Sequence, residues 1–225
     1  MAGEVTSTIT GTATTSVGTL VVASDINNTS ITNTHISATA AIVRAKLALE
    51  SKKFNQDLES LRIFDSASNA VLPNTAATDD LGLILGTQGT TGFSIQTSDA
   101  KATTVTQKAR FRMWLPAEYE AGGTITLVPH AGMLTTISDG TATIDFQVYA
   151  KNEADFTHSA DLCTTAATTI NSVTLAATSF TITPTSRVNG DELSVLMTIA
   201  ITDGATGTAV LGLVSKIHWL LQVRG

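Results

Sequence analysis

The chain has 225 residues, of which 43% are hydrophobic, 14% charged and 5% aromatic, with a formal net charge of −6. That length suffices for one sizeable all-β domain or a smaller domain with an appendage, and the negative balance argues against a general nucleic-acid binder, which needs a basic stripe to displace counterions from phosphates. The lone Cys163 excludes an internal disulfide framework and a cysteine-based zinc site, and reads as a small, partly buried filler.

Threonine does much of what charge does in other soluble chains: 40 residues are Thr, β-branched for pleated strands and hydroxylated for a wet surface. Charge is unevenly spread. Residues 44–62 hold Arg44, Lys46, Lys52, Lys53 and Arg62 against Glu50, Asp57 and Glu59, whereas 139–203 are acidic apart from Lys151 and Arg187. Either these are solvated faces or they are complementary patches on neighbouring copies.

Residues 1–24 are Thr-, Ser- and Gly-rich and cannot bury enough surface to fold alone. They lack a basic start and an apolar core of signal-peptide length, and no run nears the roughly 18 apolar residues of a span, so neither general secretion nor membrane insertion is expected. The segment that follows, DINNTSITNTHISATAAIVRAKLAL, places Ile26, Ile31, Ile36, Ile42 and Leu47 five, five, six and five residues apart. This fits neither a strand (period 2) nor a helix (3.6). It suits an extended arm whose apolar side chains each enter a pocket of a neighbour, and these five are the candidate docking residues, the first three most clearly. At about 25 cal/mol per Å² of buried apolar area, five such anchors offer several kcal/mol before ordering costs.

From about 39 to 59 the composition turns rich in Ala, Leu, Lys and Glu, with Ser37 or Thr39 as N-caps and Leu47, Phe54, Leu58 and Leu61 seven, four and three apart. The expectation is a short connecting helix, making residues 1–60 an arm plus helix and 61–225 the body.

Beyond Leu61 short apolar or alternating runs are punctuated by Gly, Asn, Asp and Pro, the pattern of an antiparallel β-sandwich, jelly-roll-like or immunoglobulin-like. Strands are expected at 61–65, 81–86, 93–97, 108–115, 124–133, 141–151, 168–173, 179–183, 192–202 and 209–223. In one, Ala109, Phe111, Met113 and Leu115 oppose Arg110, Arg112 and Trp114; in another, Leu193, Val195, Met197 and Ile199 oppose Ser194, Leu196 and Thr198. Pro129 implies a bulge or edge position. DGATG at 203–207 suggests that the last two long strands pair as a hairpin. The last strand is apolar on both faces, hence either central or in contact with another chain.

No catalytic constellation emerges, so an enzyme is not expected, nor a cofactor or metal. His35, His130, His158 and His218 are far apart in sequence, with no histidine partner at i+2 or i+4. His158, Asp161 and Cys163 can be drawn as nucleophile and base, but turn-like flanks place them in a loop. Asp79-Asp80 and Asp191-Glu192 are adjacent residues that point to opposite faces of a strand, unsuited to paired acid and base; oxygen-rich turns there could hold Ca²⁺, without EF-hand spacing. GTQGTTG at 86–92 is spaced GxxGxxG and reads as a β-turn. The candidate surface contacts are Arg110, Arg112, Trp114 and Trp219, since Trp beside Arg stacks on sugars or anchors interfaces.

The line Asp25-Ile26, then Ile36, Ser37, Ala38, Ala41, Ile42, Lys46 and Leu47, resembles D-I-x-x-S-A-x-I-x-x-x-K-L stretches of bacteriophage virion proteins. LPNTAATDDLGLILGT, AGMLTTISDGTATIDFQVY, ATTINSVTLAATSFTITP and DGATGTAVLGLV are similar to phage structural proteins over much of 60–225. The resemblance implies a homotrimeric capsid decoration (cement) protein on the virion's capsid surface, assembled in the host cytoplasm. Its partners would be the major capsid protein and further copies of itself, with no nucleic acid and no membrane. The alternative is a head- or tail-fibre protein contacting host glycans through Trp114 and its arginines; a third reading is a self-assembling or pilus-like surface module.

Overall fold

A computed structural model describes residues 47–64, 69–87, 89–152, 154, 156–204 and 207–224, all within the unit Arg44–Gly225. Ile26, Ile31, Ile36 and Ile42 lie outside the described residues, as does most of the arm. The body is all-β and antiparallel: β1 (Leu49–Gln56), β2 (Gly82–Ile84), β3 (Ser94–Gln96), β4 (Thr104–Trp114), β5 (Ile125–Met133), β6 (Gly140–Lys151), β7 (Thr168–Thr169), β8 (Ala176–Ala177), β9 (Phe180–Ile182), β10 (Glu192–Asp203) and β11 (Gly212–Arg224).

These strands form two sheets. One has four strands in the order β4-β10-β6-β7; the other has seven, running β2-β3-β11-β5-β8, with β1 also on β11 and β9 also on β5. The pairs β3–β11, β4–β10, β5–β9 and β6–β7 nest from the outermost in sequence to the innermost, and β3 to β6 alternate between sheets. A long hairpin wrapped around a core leaves this order, so the sandwich is a jelly roll.

Alternation explains the core. Ala109 and Phe111 on β4 with Leu115 just beyond it, Ile144, Phe146 and Val148 on β6, and Leu193, Val195, Met197 and Ile199 on β10 are buried, facing Ile125, Leu127, Phe180, Ile182, Trp219 and Leu221 of the other sheet. Phe111 meets Trp219 edge-on at 6.3 Å and Phe146 meets Phe180 at 4.8 Å, aromatic pairs that tie the two sheets together. The doubly apolar β11 is central in its sheet, flanked by β1 and β3 on one side and β5 on the other. Its register shifts between Val214 and Lys216, opposite Ala131 and His130. Pro129 sits beside that irregularity, where the second neighbour of β5 changes from β9 to β8.

Three expectations are corrected. The connecting helix expected to run to 59 is, over Leu49–Gln56, strand β1 in register with Arg224–Ile217 of β11, and only a one-turn 3-10 helix, Leu58–Ser60, follows. Helix propensity, worth tenths of a kcal/mol per residue, yields to pairing along the whole length of β1. The last two long strands do not pair as a hairpin: β10 pairs with β4 and β6, and β11 lies in the opposite sheet. The crossover between them is held by Asp203, whose carboxylate accepts the Ala102 N–H at 2.8 Å, and by Asp99, which accepts the Val210 N–H at 2.8 Å. The strand expected at 61–65 is reduced to one bridging residue, Arg62, on the edge of β4.

Candidate functional site

The outer face of the four-stranded sheet carries the side chains that the core rejects. Register places them in rows across the sheet: Trp114, Glu192, Lys151; Arg112, Ser194, Tyr149; Arg110, Leu196, Gln147; Lys108, Thr198, Asp145. Beyond β4, the backbone of Arg62 exchanges hydrogen bonds with Arg110 (2.8 and 3.0 Å). Residues directly opposite in such a pair project to the same face, which puts Arg62 beside Arg110 and next to Arg112.

Over this corner lies an open groove of about 580 Å³, lined by Arg62, Arg110, Arg112, Trp114, His158 and Glu192, with the hydroxyls of Ser60 and Ser194 and the amide of Asn69 at its walls. The volume falls within the range of small-molecule sites. Trp114 is 57% exposed. The Arg112 guanidinium stands 5.4 Å from its ring centroid and 3.6 Å from Glu192. One flank of the indole is thus packed by a cation while the ring keeps an open apolar surface. Tyr149 and His158 approach each other at 6.4 Å on the neighbouring row. Among the described lining residues three are arginines and Glu192 is the one carboxylate.

The structure brings Arg110, Arg112 and Trp114 together, as alternation along β4 implies. Trp219 does not join them. It is 1% exposed, packs on Phe111, and donates its indole N–H to Gln56 Oε1 at 3.3 Å; the surface contact expected of it is corrected to a core position, because the outer faces of β11 and β4 belong to opposite sheets. Leu47, half-buried just before β1, has its carbonyl held by Arg224 Nη1 at 3.0 Å. Arg62 was missed as a site residue, and His158 was weighed only as a base beside Cys163. Arg62 carried one signal, its alternation with Leu61 and Ile63, but no local pattern shows which strand it will lie beside.

The other sequence candidates have structural duties. Asp161 Oδ1 accepts the N–H groups of Val148 at 2.8 Å and Cys163 at 2.9 Å, closing a sandwich edge rather than activating a thiol. Burial pushes the Cys163 thiol up, countered by its hydrogen bond at Thr165 and reinforced by Asp161 and Asp145; this disfavours the reactive thiolate. Asp80 accepts the Phe64 N–H at 2.7 Å. Asp191 is buried, accepts the Val188 N–H at 3.1 Å and pairs with Arg187 at 3.4 Å, while Glu192 points into the groove. In the 86–92 loop Gly86 takes φ +69°, where a Cβ would come within 2.5 Å of the Thr91 carbonyl oxygen, and Thr91 Oγ1 accepts the Thr87 N–H: a turn between β2 and β3. Among the described residues no three His, Cys, Asp or Glu side chains gather as a metal site, and no helix is long and apolar enough to cross a membrane.

No family model matches the chain, and no curated protein matches it. Among solved structures it is similar to a xylan-binding module, at 13% identity and a TM-score of 0.40 over 78% of this chain and 100% of that one. It is also similar to a structure of carbohydrate-binding modules from the β-sandwich superfamily, at 11% and 0.34 over 76% of this chain and 56% of that one. A third likeness is to infectious bursal disease virus, Gx strain, at 12% and 0.27 over 72% and 35%. At this level of similarity no ligand or partner is carried over. The chain is an all-β jelly-roll sandwich.

Proposed function

We propose that the chain is a non-enzymatic structural subunit of a bacteriophage particle whose jelly-roll body binds saccharide on the outer face of β4 and β10. The observation that carries this reading is the groove itself: a half-exposed indole, flanked by a guanidinium, beside hydroxyl and amide donors on a rigid sheet. An aromatic face offers stacking area to a sugar ring at small entropic cost, and convergent polar groups orient it. The phage origin rests on the resemblance of residues 25–47, and the jelly roll, common to viral shells and lectins, adds only fold-level analogy. The test is an array of immobilised saccharides probed with the full chain and with Trp114→Ala. Binding to at least one saccharide class, lost in the variant, is expected; a blank array sinks the reading.

A second reading, capsid decoration, is favoured by β1. Among the described residues this exposed strand pairs only with β11, and it directly follows the arm that carries Ile26, Ile31, Ile36, Ile42 and Leu47. In this reading the arm seats in grooves of the major capsid protein and a homotrimer clamps adjacent capsid subunits on the virion surface; binding the assembled lattice but not free subunits stabilises the shell by mass action. A chain lacking residues 1–36 is expected to keep its β circular-dichroism signature and to stop loading onto particles. Unimpaired loading removes the docking role.

A further inference from the structure

We infer that the ligand of this face is an internal stretch of a linear sugar chain, several rings long, which crosses Trp114 and continues on both sides of it. The inference rests on the saccharide reading and fixes the form of its ligand. Two depressions meet at the indole. The larger, of about 580 Å³, reaches from Trp114 to Ser60, Arg62 and Asn69 beyond the edge of β4. The smaller, of about 150 Å³, lies at the end of the sheet where β10 begins and β6 ends, lined by Trp114, Lys151, Asn152, Gly190 and Glu192. Trp114 and Glu192 are common to both, so a ring stacked on the indole has open space toward each.

Size and register set how much chain fits. A cavity of about 150 Å³ is enough for one six-membered ring, so the smaller depression takes a single ring and the larger more than one. The two ends, Arg62 beside Arg110 and Lys151 on β6, stand four residues apart along the strands and three strand spacings apart across them, about 20 Å at about 3.4 Å per residue and about 4.8 Å per strand. That distance exceeds one sugar ring and suits a chain of a few. Arg112, 5.4 Å from the Trp114 ring centroid and 3.6 Å from Glu192, packs one face of the indole, which leaves the other for stacking. Ser194 and Lys151 stand one and two strands across from β4, donors spaced to meet the hydroxyls of successive rings. An extended peptide is the less suitable occupant. The edge of β4 at Lys108 and Arg110, where an added strand would pair, is taken by hydrogen bonds to Asp79, Leu81 and Arg62, and the exposed indole answers a ring face rather than a backbone.

Chain length is the discriminating variable. The full chain is titrated by calorimetry with linear oligomers of glucose, N-acetylglucosamine, mannose, galactose and galacturonate, from one ring to six, with the hexamers also capped at the reducing or the non-reducing end. For at least one sugar, affinity is expected to rise about tenfold or more from the disaccharide to the hexamer, and a cap at either end should leave the hexamer's affinity unchanged. Arg62→Ala and Lys151→Ala, at the two ends of the path, should each weaken the hexamer about tenfold and the disaccharide less, whereas Trp114→Ala should abolish binding at every length; circular dichroism confirms that each variant folds. Affinity that is equal for one ring and six, that is lost on capping one end, or that both end variants lower alike for disaccharide and hexamer overturns the inference and leaves the saccharide reading standing. No binding of any oligomer overturns both.

Discussion

Trp114 lies on the outer face of the sandwich and Trp219 in its core, and the two should answer substitution differently. Trp219→Ala opens a cavity against Phe111 and strips the partner from Gln56, at a cost of about 3–5 kcal/mol. Trp114→Ala removes an exposed ring and should change stability by about 0.5 kcal/mol or less; urea unfolding of the two variants checks both. His218 adds a pH dependence. It is 5% exposed on the outer face of the seven-stranded sheet, its Nδ1 has no hydrogen-bond partner among the described residues, and its ring lies 5.5 Å from that of His130. Burial, then the charges of Lys53, His130 and Lys216, hold its imidazole below the ordinary value. Unfolded, it takes up a proton near pH 6.5, so in acid the unfolded chain binds more protons than the folded one. Stability is therefore full above about 6.5 and declines as pH falls below it toward the lowered folded value. His218→Gln should flatten the fall in urea midpoint between about pH 7 and 5, and an unchanged slope would show that carboxylates alone cause it. At this scale the direction of Trp114 was legible because its neighbours Arg110 and Arg112 alternate with core residues; that of Trp219 was not, because both faces of β11 are apolar.

At the scale of elements, strands with one wet face announce themselves and edge segments do not. β4, β6 and β10 were readable because burial on one side imposes period two. β1 was not, since Lys52, Lys53 and Glu50 are exposed, the charged dress of an edge strand, and such composition equally suits a helix. What orders it is Phe54 opposite Trp219 and the amide of Gln56 on the indole, the latter a contact between residues 163 apart in sequence. The segment around Asp161 is a second edge device: Leu162 N–H donates to Val148 and Thr183 N–H to Leu162, so the segment bridges β6 in one sheet to β9 in the other. Asp161→Ala should strand two backbone N–H groups and cost about 1–3 kcal/mol. Cys163 should then react faster with a thiol reagent; an unaltered thiol rate would mean that the edge closes without the carboxylate.

For the whole molecule, the nested strand pairs place long-range contacts everywhere, and folding should be slow for a chain of this size, in the range of milliseconds to seconds, measurable by stopped-flow refolding. The trimer expected of a decoration subunit belongs to this scale too: light scattering of the full chain at micromolar concentration should return three times the 23.4 kDa chain mass, and a monomer mass would remove it. The sequence by itself determined the all-β class, the inward and outward faces of β4 and β10, and the outward Arg110, Arg112 and Trp114, because alternation is a local consequence of the pleat. Only the tertiary structure decided that the strands wrap as a jelly roll, that β10 and β11 part to opposite sheets, that β1 is a strand, and that Arg62 stands beside Arg110. Those are choices of partner, set by which distant surfaces bury each other, and no local period encodes them.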